Sequence, residues 1–149
     1  MNKITSFTVD HTVLCKGVYV SRIDGDITTY DLRMRKPNSG DLMSNSTMHS
    51  FEHTLATFLR NSKISKDVIY CGPMGCQTGF YVLIRNAENE AFLEVLKDCL
   101  EKICEYDGEM FGNSEVECGN YRNLDLNEAK KEAKAYLEVL KEPQSFCYR

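Results

Sequence analysis

Gly17-Val18-Tyr19-Val20-Ser21-Arg22-Ile23, then Asp24-Gly25-Asp26, then Ile27-Thr28-Thr29-Tyr30-Asp31-Leu32-Arg33-Met34 is the stretch that decides the fold. Its first run is rich in β-branched and aromatic residues. The middle holds the Asp-Gly pair of a tight turn, and the last run alternates loosely, as a returning strand does. Such a hairpin predicts antiparallel pairing. Upstream, Thr12-Val13-Leu14-Cys15 reads as a further apolar strand, with His11 at its start. Downstream, Lys36-Pro37-Asn38-Ser39-Gly40 ends the hairpin.

The next segment changes period. A first helix is expected from Asn45 or Ser46, either able to serve as N-cap, to about Asn61, with Met48, Phe51, Leu55, Phe58 and Leu59 on one face. Two short strands follow, Asp67-Val68-Ile69-Tyr70-Cys71 and Gly79-Phe80-Tyr81-Val82-Leu83-Ile84, joined by a loop containing Cys76. A second helix is predicted over Glu88 to Tyr106, and a Gly- and Asn-rich loop then carries Cys118. A third helix begins at Asp125, with Glu128 placed to complete a capping box. Its stripe is Leu126, Ala129, Ala133, Leu137 and Leu140, and Pro143 stops it. Hairpin-linked strands mixed with three to four helices predict one α+β domain over residues 1–149, its sheet mainly antiparallel.

Composition narrows the function. The chain has 149 residues, 42% hydrophobic and 27% charged, the balance of a folded protein rather than a disordered one. Its net charge of −4 argues against nucleic-acid binding, which needs a basic surface. No apolar run reads as a signal peptide or membrane span, so the expected location is the cytoplasm, with no membrane partner. There the seven cysteines, against three histidines, are expected as free thiols or metal ligands.

The sharpest motif is His49-Ser50-Phe51-Glu52-His53. Four residues apart on a helix, His49 and His53 face one way, with Glu52 about 60° round from His49. Two imidazoles so placed can share a divalent metal, and the carboxylate beside them can move protons. Plain surface or core histidines on an amphipathic helix are the bland reading. For the third ligand, His11, the acidic residues and the cysteines all qualify. Cys118 is attractive because it stands outside the predicted elements beside Gly119, where the backbone can bend to aim a thiolate. Cys76 lies in Gly75-Cys76-Gln77-Thr78-Gly79, where flanking glycines allow a tight turn and a ligand's close approach. Either cysteine can equally be an ordinary loop residue. Cys99 and Cys104 fall within the second helix and read as core or near-core. His-x-x-Glu-His is also the inverted motif of zinc metallopeptidases. Those are much larger chains, take an acidic third ligand and leave Cys76 without a role. A non-catalytic metal-binding or redox module is the third possibility.

The residues that go further are Ser6-Phe7 with Asp10-His11, Asp31-Leu32-Arg33 before Pro37-Asn38, the histidine motif, Pro73-Met74-Gly75-Cys76-Gln77-Thr78-Gly79-Phe80-Tyr81, and Cys118-Gly119. In this order they resemble the S-ribosylhomocysteine lyase (LuxS) family, whose fold is inverted-zincin-like. The resemblance implies a carbon–sulfur lyase of the activated methyl cycle and methionine metabolism. It would cleave S-ribosylhomocysteine to homocysteine and 4,5-dihydroxy-2,3-pentanedione, the precursor of the quorum-sensing signal autoinducer-2. It further implies that His49, His53 and Cys118 bind one divalent metal, Fe(II) in the family, with Zn(II) or Co(II) as substitutes. Glu52 and Cys76 would be the acid/base pair. Ser6, His11 and Arg33 would contact the ribosyl part, and Arg60 the homocysteine carboxylate. Family members are homodimers with both active sites at the interface. Two departures stand out: Ser50-Phe51 where Thr-Leu is commoner, and Tyr70 where relatives commonly have aspartate.

Overall fold

The hairpin forms as the sequence dictates. In the computed structural model, which describes residues 1–148, β1 (Gly17–Asp24) turns at Gly25 into β2 (Ile27–Arg33). Helix α1 (Asn45–Arg60), β3 (Val68–Pro73), β4 (Gly79–Arg85), α2 (Asn89–Glu105) and α3 (Leu126–Val139) follow. The sheet order is β1-β2-β4-β3, and every pairing is antiparallel. Short 3-10 turns occupy Thr5–Phe7, Ser65–Asp67 and Tyr121–Asn123.

Strand alternation sends Tyr30, Leu32, Phe80, Val82 and Ile84 to one face of the sheet, where they join Phe51, Leu55, Phe92, Leu96 and Ile103 in a single buried core. Tyr30 stacks on Phe92 with centroids 4.0 Å apart, and Phe51 meets Phe80 edge to face at 5.1 Å. These ring pairs anchor α2 and α1 to the sheet. Chain approach is tightest at Gly79, where a Cβ would lie 2.4 Å from the Leu32 carbonyl oxygen. Only glycine lets β4 begin so close to β2.

Three expectations change. Thr12–Cys15 is not a strand: residues 11–13 form a turn and Leu14 and Cys15 are irregular, because Asp10 accepts hydrogen bonds from the Thr12 N–H at 2.9 Å and the Thr12 hydroxyl at 2.6 Å. That local closure competes with any ladder. Helix α1 is capped by Ser44, whose Oγ accepts from the Thr47 N–H, rather than by Asn45 or Ser46. Asp125 caps α3 through the Asn127 N–H, but no capping box closes: Glu128 instead accepts from the Thr47 hydroxyl at 3.2 Å, tying α3 to α1. Among the described residues no helix is long and apolar enough to cross a membrane. All seven cysteines are free, with Cys99 buried in the core and Cys104 packed against it.

The far side of the sheet is unusual. Asp31 and Arg33, two apart on β2, point away from the helices yet are 1% and 2% exposed. They form a bidentate pair, Arg33 Nη2 donating to Asp31 Oδ2 at 2.6 Å and Nε to Oδ1 at 3.1 Å. Burial works against the Arg33 cation, but the Asp31 hydrogen bonds and charge outweigh it and hold its pKa above the ordinary value.

The core makes one pH prediction. Tyr30 donates to Asn89 Oδ1 at 2.7 Å, and burial, followed by the Glu88 charge, pushes its phenol up from 10.0 to about 12. The folded state therefore holds this proton more tightly than the unfolded chain does. The resulting stability is complete below the unfolded pKa near 10 and is lost as pH rises toward 12. Urea midpoints measured at about pH 9 and about pH 11 are expected to fall across that window, and to fall less in Tyr30→Phe.

Candidate metal centre and catalytic site

Helical spacing delivers the first two donors. His49 and His53 lie one turn apart on α1, their rings edge to face with centroids 4.6 Å apart. The third comes from the loop before α3, where Cys118 closes a turn by donating its N–H to the Ser114 carbonyl at 3.0 Å. Its sulfur lies 3.3 Å from His49 Nε2. One donor atom from each of the three residues falls within 4.8 Å of the others. Tetrahedral metal–ligand bonds of about 2.0–2.3 Å place donors about 3–4 Å apart, so the group fits a divalent ion with modest adjustment.

The hydrogen bonds around it support the same fit. His49 Nδ1 lies 2.5 Å from Asn123 Oδ1 and His53 Nδ1 lies 2.8 Å from the Phe111 carbonyl oxygen. Both partners are acceptors, so each ring carries its proton on Nδ1 and leaves the Nε2 lone pair free to ligate. Gly112 adopts a φ of +65°, and a Cβ there would come within 2.9 Å of the His53 ring. The absent side chain lets the backbone reach the imidazole.

Glu52 stands on the rim, one of the residues lining a depression of about 280 Å³ with Asn45, Met48, His49, Pro73 and Asn120. Met48 borders this depression and also packs against the core, the face on which the apolar spacing placed it.

Cys76 occupies a second cluster. It is exposed at the β3–β4 turn, with its sulfur 3.0 Å from the Thr78 hydroxyl and 3.9 Å from Arg33 Nη1. Arg33 Nη1 also donates to Thr78 Oγ1 at 2.8 Å. The turn's positive φ falls on Gln77, at 65°, and not on the glycines beside Cys76. Gln77 is held there by three hydrogen bonds: its N–H donates to the Met74 carbonyl, its Nε2 to the Met43 carbonyl, and its own carbonyl accepts from the Met43 N–H. Cys76 is not among the residues lining the depression beside His49.

Comparison with known proteins identifies the family. A family model described as S-Ribosylhomocysteinase (LuxS) covers residues 4–146. The chain belongs to the S-ribosylhomocysteinase family. It is 45% identical over 145 residues to the S-ribosylhomocysteine lyase of Finegoldia magna, spanning 94% of this chain and 92% of the relative. It is 46% identical over 147 residues to that of Desulfotalea psychrophila, with the same coverage. With the lyase of Borrelia garinii subsp. bavariensis it shares 41% identity over 146 residues, 94% of this chain and 93% of the relative.

In this S-ribosylhomocysteinase chain the remaining expected site residues are not among the three clustered donors. Ser6 is half-buried in the Thr5–Phe7 turn, which packs beside β1. His11 is half-buried, with Nδ1 2.9 Å from the Val9 carbonyl oxygen. Arg60 lies seven residues beyond His53, two turns along the same face of α1. Its guanidinium donates to the Val68 and Ile69 carbonyl oxygens at 3.2 and 3.1 Å. Tyr70 is exposed on β3, its ring lying over Gly72. Asn123, the Phe111 carbonyl and Thr78 serve the site without having been singled out in the sequence. For Asp31 the signal existed: two residues from Arg33 on a strand, it had to share that face.

Proposed function

We propose that this chain is an S-ribosylhomocysteine lyase. The observation that carries the reading is the His49–His53–Cys118 group with Glu52 at its rim, in a chain of this family. In this reading the three residues hold one divalent ion, ferrous iron with zinc or cobalt as substitutes. Such an ion supplies Lewis-acid polarisation of a sugar carbonyl or hydroxyl oxygen.

The chain's own residues move the protons. In the opened ribose the carbonyl migrates from C1 to C2 as a proton passes from C2 to C1. It then migrates to C3 as a proton passes from C3 to C2. Removal of the C4 proton next breaks the C5–sulfur bond and releases homocysteine, and the remaining enol tautomerises to the dione. No electrons are gained or lost overall, so no redox cofactor enters. Glu52 and Cys76 are assigned these transfers, acting from different sides of the carbon chain. Ser6, His11 and Arg33 meet the ribosyl hydroxyls, Arg33 from its place beside Cys76, and Arg60 takes the homocysteine carboxylate.

A homodimer completes this reading. Cys76 does not line the depression beside His49, and Ile4, Phe7 and Val13 of the N-terminal segment expose apolar surface. A second copy laid against that segment would cover it and unite the two half-sites. The cytoplasm, where thiols stay reduced, suits the free Cys76 and Cys118. The test is homocysteine release, detected by mass, from S-ribosylhomocysteine and the metal-reconstituted protein. Turnover is expected with metal and loss of it on chelation; metal uptake without homocysteine release would overturn the assignment.

A further inference from the structure

The segment after α3 returns to the open face of the sheet. Phe146 bridges Tyr19, and its carbonyl accepts from the Val20 N–H at 2.8 Å. Two residues on, Tyr148 stacks on Tyr19 with centroids 5.1 Å apart and planes 17° from parallel. Its hydroxyl donates to Asp31 Oδ2 at 2.6 Å. That oxygen is the one that accepts from Arg33 Nη2. The contacts therefore run unbroken from Tyr148 through Asp31 and Arg33 to Thr78 and Cys76. Tyr148 lies outside residues 4–146, the part of the chain that the family model covers.

We propose that Tyr148 is a positioning residue for the Cys76 thiol, acting through the orientation of the Asp31–Arg33 pair. The proposal rests on the reading that Cys76 takes part in the reaction. Its physical basis is the burial of Asp31, 1% exposed, which leaves water little access to replace the phenol. Two donors share Oδ2, so part of the carboxylate's charge is taken up by Tyr148 rather than by Arg33. Without that hydroxyl, Asp31 binds Arg33 harder, and the guanidinium acts less strongly on Thr78 and Cys76. Tyr81, Tyr136 and Tyr148 also surround this cluster. Burial first, then the Asp31 charge, raises the pKa of all three, so they are neutral near pH 7. Arg33, in contact with the thiol, and the Asp31 it pairs with then bear on Cys76 as charges.

Tyr148→Phe separates this role from simple anchoring, because the ring that stacks on Tyr19 stays. The experiment follows alkylation of Cys76 by iodoacetamide against pH in the full-length, metal-loaded protein, read by mass on the peptide that carries Cys76. The thermal midpoint is measured in parallel. The expected result is an alkylation midpoint displaced to higher pH and a rate at neutral pH lowered about three- to tenfold, the scale of a hydrogen bond to a charged group. Tyr148→Ala is expected to shift it at least as far. If both variants only lower the thermal midpoint and leave the alkylation profile in place, Tyr148 is a structural anchor and the proposal is overturned. A displaced profile with unchanged homocysteine release upholds the positioning role and counts against Cys76 as a proton carrier, so the two failures are told apart.

Discussion

Cys76→Ala is expected to lower homocysteine release by about 10²–10⁴-fold while leaving the metal content unchanged, the span typical of losing one positioned acid/base group. Glu52→Gln should give a loss of the same order with its metal also retained, since neither side chain is among the three clustered donors. The two are expected to combine sub-additively, because groups that act on one proton path are not independent. The mass assay for homocysteine, run beside metal analysis of the same preparations, measures both quantities. Full turnover in either variant would remove that residue from the mechanism. Loss of metal along with turnover would reassign it to the metal group.

The second large effect concerns metal affinity. Cys118→Ala deletes one of three protein donors, and metal affinity should fall about 100-fold or more. Asn123→Ala leaves all three in place but frees the His49 ring, and should cost about 10–100-fold. Competition against a chromophoric chelator ranks the two directly. If Cys118→Ala binds metal as tightly as the unaltered protein, the ion sits elsewhere and the 3.3 Å approach of its sulfur to His49 is incidental.

Local chemistry explains which parts of the molecule could be read from the chain. The hairpin was legible because Asp24-Gly25 demands a turn and the flanking runs have strand composition; β1 and β2 follow. The histidine pair was legible because helix geometry alone sets residues 49 and 53 on one face. Cys118 and Cys76 could be nominated only as unusual thiols, since loop paths are fixed by distant contacts. Cys118 reaches His49 across 69 positions of sequence. Thr12–Cys15 misled because apolar composition says nothing of the carboxylate at Asp10 that folds the backbone into a turn. The failed capping box at Glu128 has a similar cause, since a hydroxyl on another helix reaches it. Tyr148 carried no local signal at all, because its partner Asp31 lies 117 positions away.

Beside its bonds to Asn45 and Ser46 at the start of α1, the stretch from Phe111 to Asn123 reaches the metal-binding face of that helix at three points: at Phe111 through its carbonyl, at Cys118 through its sulfur and at Asn123 through its amide oxygen. All three contacts fall on His49 or His53. An ion shared by those histidines and Cys118 is thus a clasp across a closed loop of chain, and closing such a loop costs entropy that the bond must offset. Filling the site and ordering this stretch are one equilibrium rather than two. Slow amide exchange between residues 111 and 123 is then a measure of occupancy, available without substrate and without turnover.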